Sequence, residues 1–427
     1  MRRVVTVGGT FFVAACVIAL AVAVGSAQAP GASPTPAELL RDPAVKAALD
    51  AAKASEPQTV EDQIRFCEIP APSFREETRG RELQRVFQQL GLQNVRVDKA
   101  GNVLGHYPGA APRPHVVIAA HLDTVFPEGT DVKVKREGTV LHGPGIGDDC
   151  RGLAVLVAIV REMKSAKVQT PGSITFVANV GEEGLGDLRG VKELFNTTLK
   201  DQIDRFVSID GTGVHVTNVA VGSHRYRVTF KGPGGHSFGA FGMANPMGAM
   251  GRAIARIQEI QVPRQPKTTF NVGRIGGGTS VNSIPFEGWM ELDMRSSDPA
   301  SLAAIDASIQ KAIDAAVNEE NARWGKPGVI SVVKELVGDR PAGSTPENSP
   351  IVRSGLAAAT VLGFASGPPG EGSTDSNIPM SLGVPSITIG GGGRGREAHA
   401  LTESFDTTDA WMGTQHALLL TVALAQK

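Results

Sequence analysis

The sequence has few cysteines and few aromatic residues. Three cysteines occur in 427 residues, and aromatic side chains make up 5% of the chain. This cysteine count excludes a disulfide-rich scaffold, and without a Cys-x-x-Cys pair any metal site has to use imidazole and carboxylate ligands. The low aromatic content argues against base-stacking platforms for nucleic acid. The sequence leaves open whether Cys67 and Cys150 form a disulfide.

An excess of charge is also lacking. The formal net charge is −1, with 41% hydrophobic and 20% charged residues, which is typical of a soluble globular protein with a large core. Because no strongly basic cluster is present, we expect no nucleic-acid partner. The length predicts two or three domains.

Only one long apolar stretch is present, at the N-terminus. Val4–Val24 follows two arginines and precedes Ala27-Gln28-Ala29, a small-residue cleavage pattern. We expect residues 1–29 to be a Sec-type signal peptide, which makes the mature protein secreted or periplasmic and free of the membrane. Cleavage after Ala27, an N-terminal membrane anchor and lipoprotein processing at Cys16 are the alternatives.

Four segments of strand length and apolar character lead into polar residues that can bind metal. They are His115–Ala120 before His121, Ser173–Val180 before Glu182 and Glu183, Arg205–Ile209 before Asp210, and Pro385–Ile389 before a glycine-rich loop and His399. Long apolar runs are typical of parallel strands buried on both faces. Open α/β sheets bind ligands at the carboxyl ends of such strands, so the repeated pattern predicts a site there.

Two pairs of adjacent carboxylates add to this set. Asp148 and Asp149 precede a predicted helix from Leu153 to Lys164, where they could simply cap the helix or, beside His121, bridge two metals. Adjacent glutamates are commonly solvated surface residues, but here they end a buried strand. One could bind metal while the other takes a proton from water. Imidazoles and carboxylates without thiolates suit zinc, manganese or cobalt in a hydrolytic site.

The pattern changes after about residue 222. The predicted order is then β-α-β-β-α-β, which is typical of a ferredoxin-like domain, with strands at 225–231, 268–275, 288–296 and 329–335 and helices at 246–260 and 302–322. Further helices are predicted at 36–54, 60–67, 76–90, 350–362 and 407–425. We therefore expect an α/β fold: a mixed-sheet, di-metal catalytic domain with an inserted ferredoxin-like α+β domain that serves dimerisation or covers the site. The predicted division is a signal peptide at 1–29, a catalytic domain built from the two segments 30–222 and 338–427, and the inserted domain between them at 223–337.

A series of short motifs spans nearly the whole mature chain. They are His121-Leu-Asp123-Thr-Val, Gly143-Pro-Gly-Ile-Gly-Asp148-Asp149, Gly181-Glu182-Glu183-Gly, Ser208-Ile-Asp210, Gly234-Gly-His236-Ser, Asn282-Ser-Ile-Pro285, Asp293-Met-Arg295, Gly372-Ser-Thr-Asp375 and His399. These motifs and their order resemble those of the di-zinc metallopeptidases that include peptidase T, glutamate carboxypeptidase and succinyl-diaminopimelate desuccinylase. Each motif alone is weak, whereas the ordered set is specific.

The resemblance implies a site for two divalent metal ions, with zinc expected and cobalt or manganese as alternatives. His121 and Asp210 would bind one ion, Glu183 and His399 the other, and Asp148 would bridge both. The resemblance also implies a cis peptide bond after the bridging aspartate.

The resemblance further implies roles for five residues around the metals. Asp123 would orient the first histidine ligand, and Glu182 would be the general base that later protonates the leaving amine. His236, from the inserted domain, would reach the substrate carbonyl or oxyanion, in many members within the partner subunit of a homodimer. Asn282 and Arg295 would contact the substrate, with the guanidinium facing a carboxylate. A simple loop histidine and a surface ion pair are the alternatives for His236 and Arg295.

We therefore expect a secreted metallopeptidase of the exopeptidase type, a di- or tripeptidase or a carboxypeptidase, that cleaves short peptides. An N-acyl amino acid amidohydrolase on the same site is the alternative. A non-catalytic peptide-binding protein and a two-metal nuclease or phosphatase are hypotheses from other classes, disfavoured by the complete ligand set and by the order of the motifs. Cys150-Arg151-Gly152 stands where many relatives have lysine and glycine, which leaves the substrate open but the carboxylates intact.

Overall fold

The computed structural model describes residues 1, 4–5, 34–325 and 329–427. The predicted signal peptide lies almost wholly outside the described residues, so it stays a prediction. Within the described stretches of the chain, no helix has the length and apolar character needed to cross a membrane.

Helices and short strands alternate along the described chain. The helices are α1 (Pro36–Leu39), α2 (Pro43–Ala54), α3 (Glu56–Cys67), α4 (Glu77–Gln89), α5 (Cys150–Ser165), α6 (Arg189–Glu193), α7 (Pro246–Gln258), α8 (Pro299–Arg323), α9 (Pro350–Val361), α10 (Asn377–Ser381) and α11 (Trp411–Leu424). The strands are β1 (Gln93–Val97), β2 (Val103–Tyr107), β3 (His115–His121), β4 (Lys135–Glu137), β5 (Val140–His142), β6 (Ser173–Asn179), β7 (Arg205–Ile209), β8 (Val216–Ala220), β9 (Gly222–Lys231), β10 (Gly235–His236), β11 (Thr268–Gly277), β12 (Ser283–Ile284), β13 (Glu287–Ser296), β14 (Ser331–Arg340), β15 (Gly343–Ser344), β16 (Gly370–Gly372), β17 (Ser386–Ile389), β18 (Arg394–Arg396) and β19 (Ser404–Asp406).

The larger sheet is mixed and has the strand order β1-β2-β6-β3-β7-β17-β8-β15, with β16 beside β8. Its central strands β6, β3, β7 and β17 run parallel to one another. Every residue of β3 is buried, and its side chains alternate between two apolar cores. Ile118 packs with residues of α2, α5 and α11, whereas Val117 packs with the segment around α6. The predicted mixed α/β fold is therefore confirmed, and four carboxyl strand ends meet at one edge of the sheet.

The second large sheet is antiparallel, in the order β11-β13-β9-β14. Helices α7 and α8 cover one face and build a separate apolar core, and the residues of β13 alternate between buried and half-buried. The strand and helix order is the one predicted for the inserted domain. However, β14 continues pairing with β9 as far as Arg340, past the predicted strand end at Glu335. The predicted boundary at residue 337 thus falls inside a strand, and the domain limits remain a prediction.

Two helix predictions need correction. The stretch 36–54 is two helices, because Asp42 caps a new helix by accepting hydrogen bonds from Ala44 N and Val45 N, and Pro43 occupies its first turn. The C-terminal helix begins at Trp411 rather than Thr407, whose N–H instead donates to the carbonyl of Thr139.

The small antiparallel sheet β18-β19-β5-β4 was not predicted, since its strands have only three residues each. Cys67 and Cys150 are both buried and both free thiols.

Candidate metal centre

Asp148 lies between the two histidines that the sequence singles out. Its Oδ1 is 3.0 Å from His121 Nε2, and its Oδ2 is 3.1 Å from His399 Nε2. Ligand atoms of His121, Asp148 and Asp210 lie within 4.8 Å of one another, as do those of Asp148, Glu183 and His399. The structure thus brings together all five predicted ligands in two groups that share one carboxylate.

Each ligand comes from a different region of the fold, and the larger sheet brings them together. His121 is the last residue of β3, Asp210 follows β7, and Glu183 follows β6 after a short turn. His399 lies beyond β17 and β18 and has a positive φ of 69°. Parallel strand ends meet at one edge of the sheet, so residues far apart in sequence share one site.

The loop that carries the bridging aspartate is held on two sides. Asp149 accepts hydrogen bonds from Gly152 N at the start of α5 and from His121 N, both at 3.0 Å. Glu403 accepts from the backbone N–H groups of Gly147 and Asp148 at 2.8 and 3.1 Å. The Asp148–Asp149 peptide bond is cis, as the resemblance implied. Glu403 was not predicted from the sequence, since nothing in its spacing distinguishes it from other loop glutamates.

Asp123 does more than orient His121. The imidazole Nδ1 of His121 lies 3.0 Å from the backbone carbonyl of Asp123 and 3.7 Å from its carboxylate. The same carboxylate accepts hydrogen bonds from Glu182 N at 3.0 Å, Glu183 N at 2.9 Å and Ser73 Oγ at 2.8 Å. Burial on its own would raise the pKa of the Asp123 carboxyl, but the neighbouring His121 imidazole and the donated hydrogen bonds lower it. Asp123 therefore holds the ligand ring through its backbone carbonyl and the backbone of the two glutamates through its buried carboxylate.

Glu182 is buried beside the ligands and faces an arginine that was not predicted. Burial raises the pKa of the Glu182 carboxyl well above its ordinary value, against the opposing effect of Arg340. Nη1 of Arg340 lies 3.1 Å from Glu182 Oε1. Arg340 is the last residue of β14. It was not predicted because the sequence analysis ended this strand at Glu335, five residues too early.

The donor set fits divalent cations. Burial, together with the Asp148 carboxylate, raises the pKa of Asp210 to about 7. Hydrogen bonds to Asp148 and Glu183 raise the pKa of His399 to about 10. Carboxylates crowded away from water favour any positive charge placed among them, whether a proton or a metal ion. Oxygen and imidazole ligands around a shared carboxylate suit a two-metal site.

A cleft opens directly over the ligands. The antiparallel sheet β11-β13-β9-β14, called the inserted sheet below, forms a portion of its wall. Its lining consists of Val125, Asp148, Glu182, Glu183, Gly184, Asp210, Arg225, Arg295, Arg340, Ser373, Thr374 and His399. The predicted substrate residue Arg295 is therefore at the site, with its Nε 2.9 Å from Asp293. Arg225 is a further residue that was not predicted, because an arginine on an alternating strand gives no signal of its own.

His236 and Asn282 lie elsewhere in the inserted domain. His236 belongs to β10, pairs with Ser283 of β12, and its ring Nδ1 accepts from the N–H groups of Phe238 and Gly239 at 3.2 Å. Taken over the described residues, the cleft lining includes neither His236 nor Asn282, and both are exposed. Their predicted roles stay predictions for this chain.

Comparison with known proteins agrees with this geometry. The chain is 26% identical over 354 residues to the uncharacterised protein YqjE of Bacillus subtilis, and the match spans 78% of this chain and 90% of that protein. A tripeptidase from Staphylococcus aureus superposes with a TM-score of 0.70 at 22% identity, covering 87% of this chain and 98% of the other. YXEP of Bacillus subtilis, described as a dinuclear metal-binding peptidase, superposes with a TM-score of 0.65 at 16% identity, over 87% of this chain and 98% of that chain.

The model of peptidase family M20/M25/M40 matches residues 117–424, which is more than half of the chain and includes every predicted metal ligand. The predicted metallopeptidase resemblance is therefore confirmed at the level of the family. The chain belongs to peptidase family M20/M25/M40 and is a metallopeptidase by that membership.

Proposed function

We propose that this protein hydrolyses the amide bond of short peptides that carry a free carboxylate, with Glu182 as the general base. The observation that carries the proposal is the pair of ligand groups that share Asp148, next to Glu182 in one cleft. A shared carboxylate and an adjacent base are what two-metal hydrolysis of an amide requires.

Zinc is the proposed metal, with cobalt or manganese as alternatives. His121, Asp210 and Asp148 would hold one ion, and Asp148, Glu183 and His399 the other. Two ions held there would supply a water that is nucleophilic at neutral pH and would polarise the amide carbonyl. The protein contributes the positions of these ligands, which the backbone contacts of Asp123 and Glu403 hold in place.

Glu182 moves the proton. Its carboxylate takes a proton from the attacking water and returns it to the amine nitrogen as the carbon–nitrogen bond breaks. A carboxyl whose pKa is raised by burial accepts a proton more readily than an exposed glutamate does. General acid–base catalysis of this kind contributes about 10²–10⁴-fold to the rate.

Arg295 is the proposed partner of the substrate carboxylate. Among the described residues, Nε is the one guanidinium nitrogen of Arg295 that forms a hydrogen bond, to Asp293. The side chain lines the cleft and is 41% exposed. Both Nη groups can therefore form a bidentate pair with a carboxylate. A C-terminal amino acid provides that carboxylate in a peptide and equally in an N-acyl amino acid, so hydrolysis of N-acyl amino acids is the second candidate.

The test is hydrolysis of di- and tripeptides and N-acyl amino acids by the mature protein, after chelation and after addition of zinc, manganese or cobalt. Glu182→Gln should lower kcat by about 10²–10⁴-fold while the protein keeps its metal. Glu371→Gln, at an exposed position on β16, serves as the control and should not change kcat. Cleavage that survives chelation, or that is the same in Glu182→Gln as in the wild type, would contradict the proposal.

We also propose that the protein is a homodimer in which His236 completes the site of the partner. The support is that His236 is exposed, close in sequence to the exposed side chains of Phe238 and Phe241, while it lines no portion of the cleft described above. Glu182→Gln and His236→Ala chains mixed one to one should recover roughly a quarter of wild-type activity, because half of the dimers are mixed and each holds one intact site. No recovery after mixing, or a monomeric mass in light scattering, would contradict this proposal.

A further inference from the structure

The inserted sheet meets the metal centre through the two strands that connect it to the larger sheet. β9 begins at Gly222 and β14 ends at Arg340, and the two strands pair side by side at this junction. Arg340 pairs with Ser223, and Gly338 pairs with Arg225. Each strand thus carries one arginine at its end nearest the cleft.

Arg340 contacts both the backbone and the side chain of Glu182. Its Nη2 donates to the Glu182 carbonyl, and its Nη1 lies 3.1 Å from the Glu182 carboxylate and 3.3 Å from Ser373 Oγ. The guanidinium is almost fully buried, with 4% of the side chain exposed. A planar fork that donates to two acceptors of one residue restricts how that residue can turn.

Arg225 holds the same segment two residues further along. Its Nη1 donates to the carbonyl of Gly184 at 2.5 Å, and its Nε donates to Asp293 at 2.9 Å. The other oxygen of Asp293 accepts from Arg295, the proposed partner of the substrate carboxylate. A continuous series of charged hydrogen bonds therefore joins the substrate-binding arginine to the backbone beside the general base.

The larger sheet holds the opposite side of this segment. Asp123 accepts from the N–H groups of Glu182 and Glu183, whereas the two arginines donate to the carbonyls of Glu182 and Gly184. Hydrogen bonds in which one partner is charged are about twice as strong as neutral ones. The segment is thus fixed through its amides by the larger sheet and through its carbonyls by the inserted sheet.

We propose that Arg340 and Arg225 are positioning residues for Glu182, so that the placement of the inserted domain sets the orientation of the general base. This inference rests on the proposed function, in which Glu182 is the base. The competing explanation is that the two arginines only stabilise the junction between the sheets. In that case their loss would lower stability without moving Glu182.

Arg227 provides a matched control on the same strand and the same face of the sheet. Its Nη1 lies 2.7 Å from Glu291, and its guanidinium stacks on Trp289 at 4.0 Å from the ring centroid. Like Arg225, it forms an ion pair with a residue of β13, but among the described residues it donates no hydrogen bond to the segment 182–184.

The experiment measures hydrogen–deuterium exchange of the segment 181–187 in metal-free protein, together with kcat and KM of the metal-loaded protein. The variants are Arg340→Met, Arg340→Lys, Arg225→Met and Arg227→Met. We expect exchange of the Glu182 and Glu183 amides to rise about 10-fold or more in Arg340→Met, since a buried charged hydrogen bond is lost. Arg225→Met should give a smaller rise, and Arg227→Met should match the wild type.

The kinetic result separates positioning from stability. We expect kcat to fall about 10-fold or more in Arg340→Met, with KM changed less than about 3-fold, because misplacing a base affects the chemical step. Arg340→Lys should not restore kcat, since one ammonium cannot reach both acceptors in the geometry of the fork.

Unchanged exchange in Arg340→Met and Arg225→Met, or full activity in Arg340→Lys, would overturn the inference. If Arg340→Met fails to fold, the exchange and kinetic results for Arg340→Lys and Arg225→Met still test the inference. If the wild type cleaves no substrate while exchange responds as expected, the proposed function fails and the positioning of the segment stands.

Discussion

The two large sheets of this protein place charged residues in different ways. In the larger sheet, the parallel strands β3 and β6 are buried at every residue and have an apolar core on both faces. In the inserted sheet, helices cover only one face, and the other carries charged residues along its strands. Arg225 lies opposite Asp293, and Arg227 lies opposite Glu291.

This difference determines what a charged residue signifies in each sheet. A strand covered on both faces can carry charged groups only at its ends, so a carboxylate there needs a partner such as a metal ion. A strand with one open face can carry charges anywhere, and most of them contribute little. Charge therefore indicates function directly in the larger sheet, whereas in the inserted sheet it does so only next to the cleft.

The largest expected effect comes from the shared carboxylate at the strand ends. Asp148→Asn should reduce peptide hydrolysis to background, because both ligand groups contain Asp148 and a neutral amide is a poor bridge between two cations. Metal analysis of the purified variant should show loss of at least one ion. Asp314→Asn is the control, since this aspartate is 59% exposed and pairs only with Lys334 among the described residues. A variant with full metal content and full activity would show that charge at the strand ends of the larger sheet does not indicate function.

A core residue of the larger sheet should have the next largest effect, on stability. Phe176 of β6 is completely buried in the apolar core that β3 shares with α2, α5 and α11, so Phe176→Ala should lower the free energy of unfolding by about 3–5 kcal/mol. Val333 of β14 is 50% exposed, and Val333→Ala should change the free energy of unfolding by no more than about 0.5 kcal/mol. Urea denaturation of the metal-free proteins measures both values. Equal losses would mean that the uncovered face of the inserted sheet is buried in solution.

The burial of His416, on the helix α11 that packs against the larger sheet, predicts how the stability of the protein depends on pH. Burial lowers the pKa of this histidine to about 4, although its Nε2 lies 2.8 Å from the Gly355 carbonyl. The unfolded chain takes up this proton near pH 6.5 and the folded chain near pH 4, so stability is unaffected above about pH 6.5 and falls by about 3 kcal/mol as the pH approaches 4.

The measurement is the pH dependence of unfolding for the wild type and His416→Gln, both without metal. The variant keeps a side-chain donor but cannot titrate, so its stability should fall less between about pH 6.5 and pH 4. Parallel pH profiles would show that His416 is protonated in the folded protein as well. His416 is completely buried in the folded chain.

The sequence predicted most of the metal centre because covered strands leave a clear pattern. Apolar runs that end in His121 or Asp210 indicate both the strand and the position of the ligand, and the parallel arrangement then brings the ends together. The inserted fold could be predicted as well, since alternation identifies half-exposed strands.

Other features of the site have no such pattern. Glu403 acts on the loop of Asp148 from a distant position in the chain, and its role depends on how that loop turns. Arg225 and Arg340 become informative only when the pairing of β9 and β14 places them beside Glu182. Long-range hydrogen bonds to backbone carbonyls follow from the tertiary arrangement, so no spacing rule in the sequence can find them.

The smallest expected effect comes from the open face of the inserted sheet away from the cleft. Arg274 is 69% exposed and lies 2.9 Å from Glu291, which also pairs with Arg227. A double-mutant cycle of Arg274→Gln and Glu291→Gln should give a coupling free energy of about 0.2–1 kcal/mol, because water and salt screen exposed pairs. The coupling should weaken further in about 1 M salt, where the screening length is only about 3 Å. Peptide hydrolysis should be unchanged, since the pair is remote from the segment that carries Glu182. A large coupling that resists salt would instead place this face against another surface in solution, and charges along the whole inserted sheet would then carry functional information.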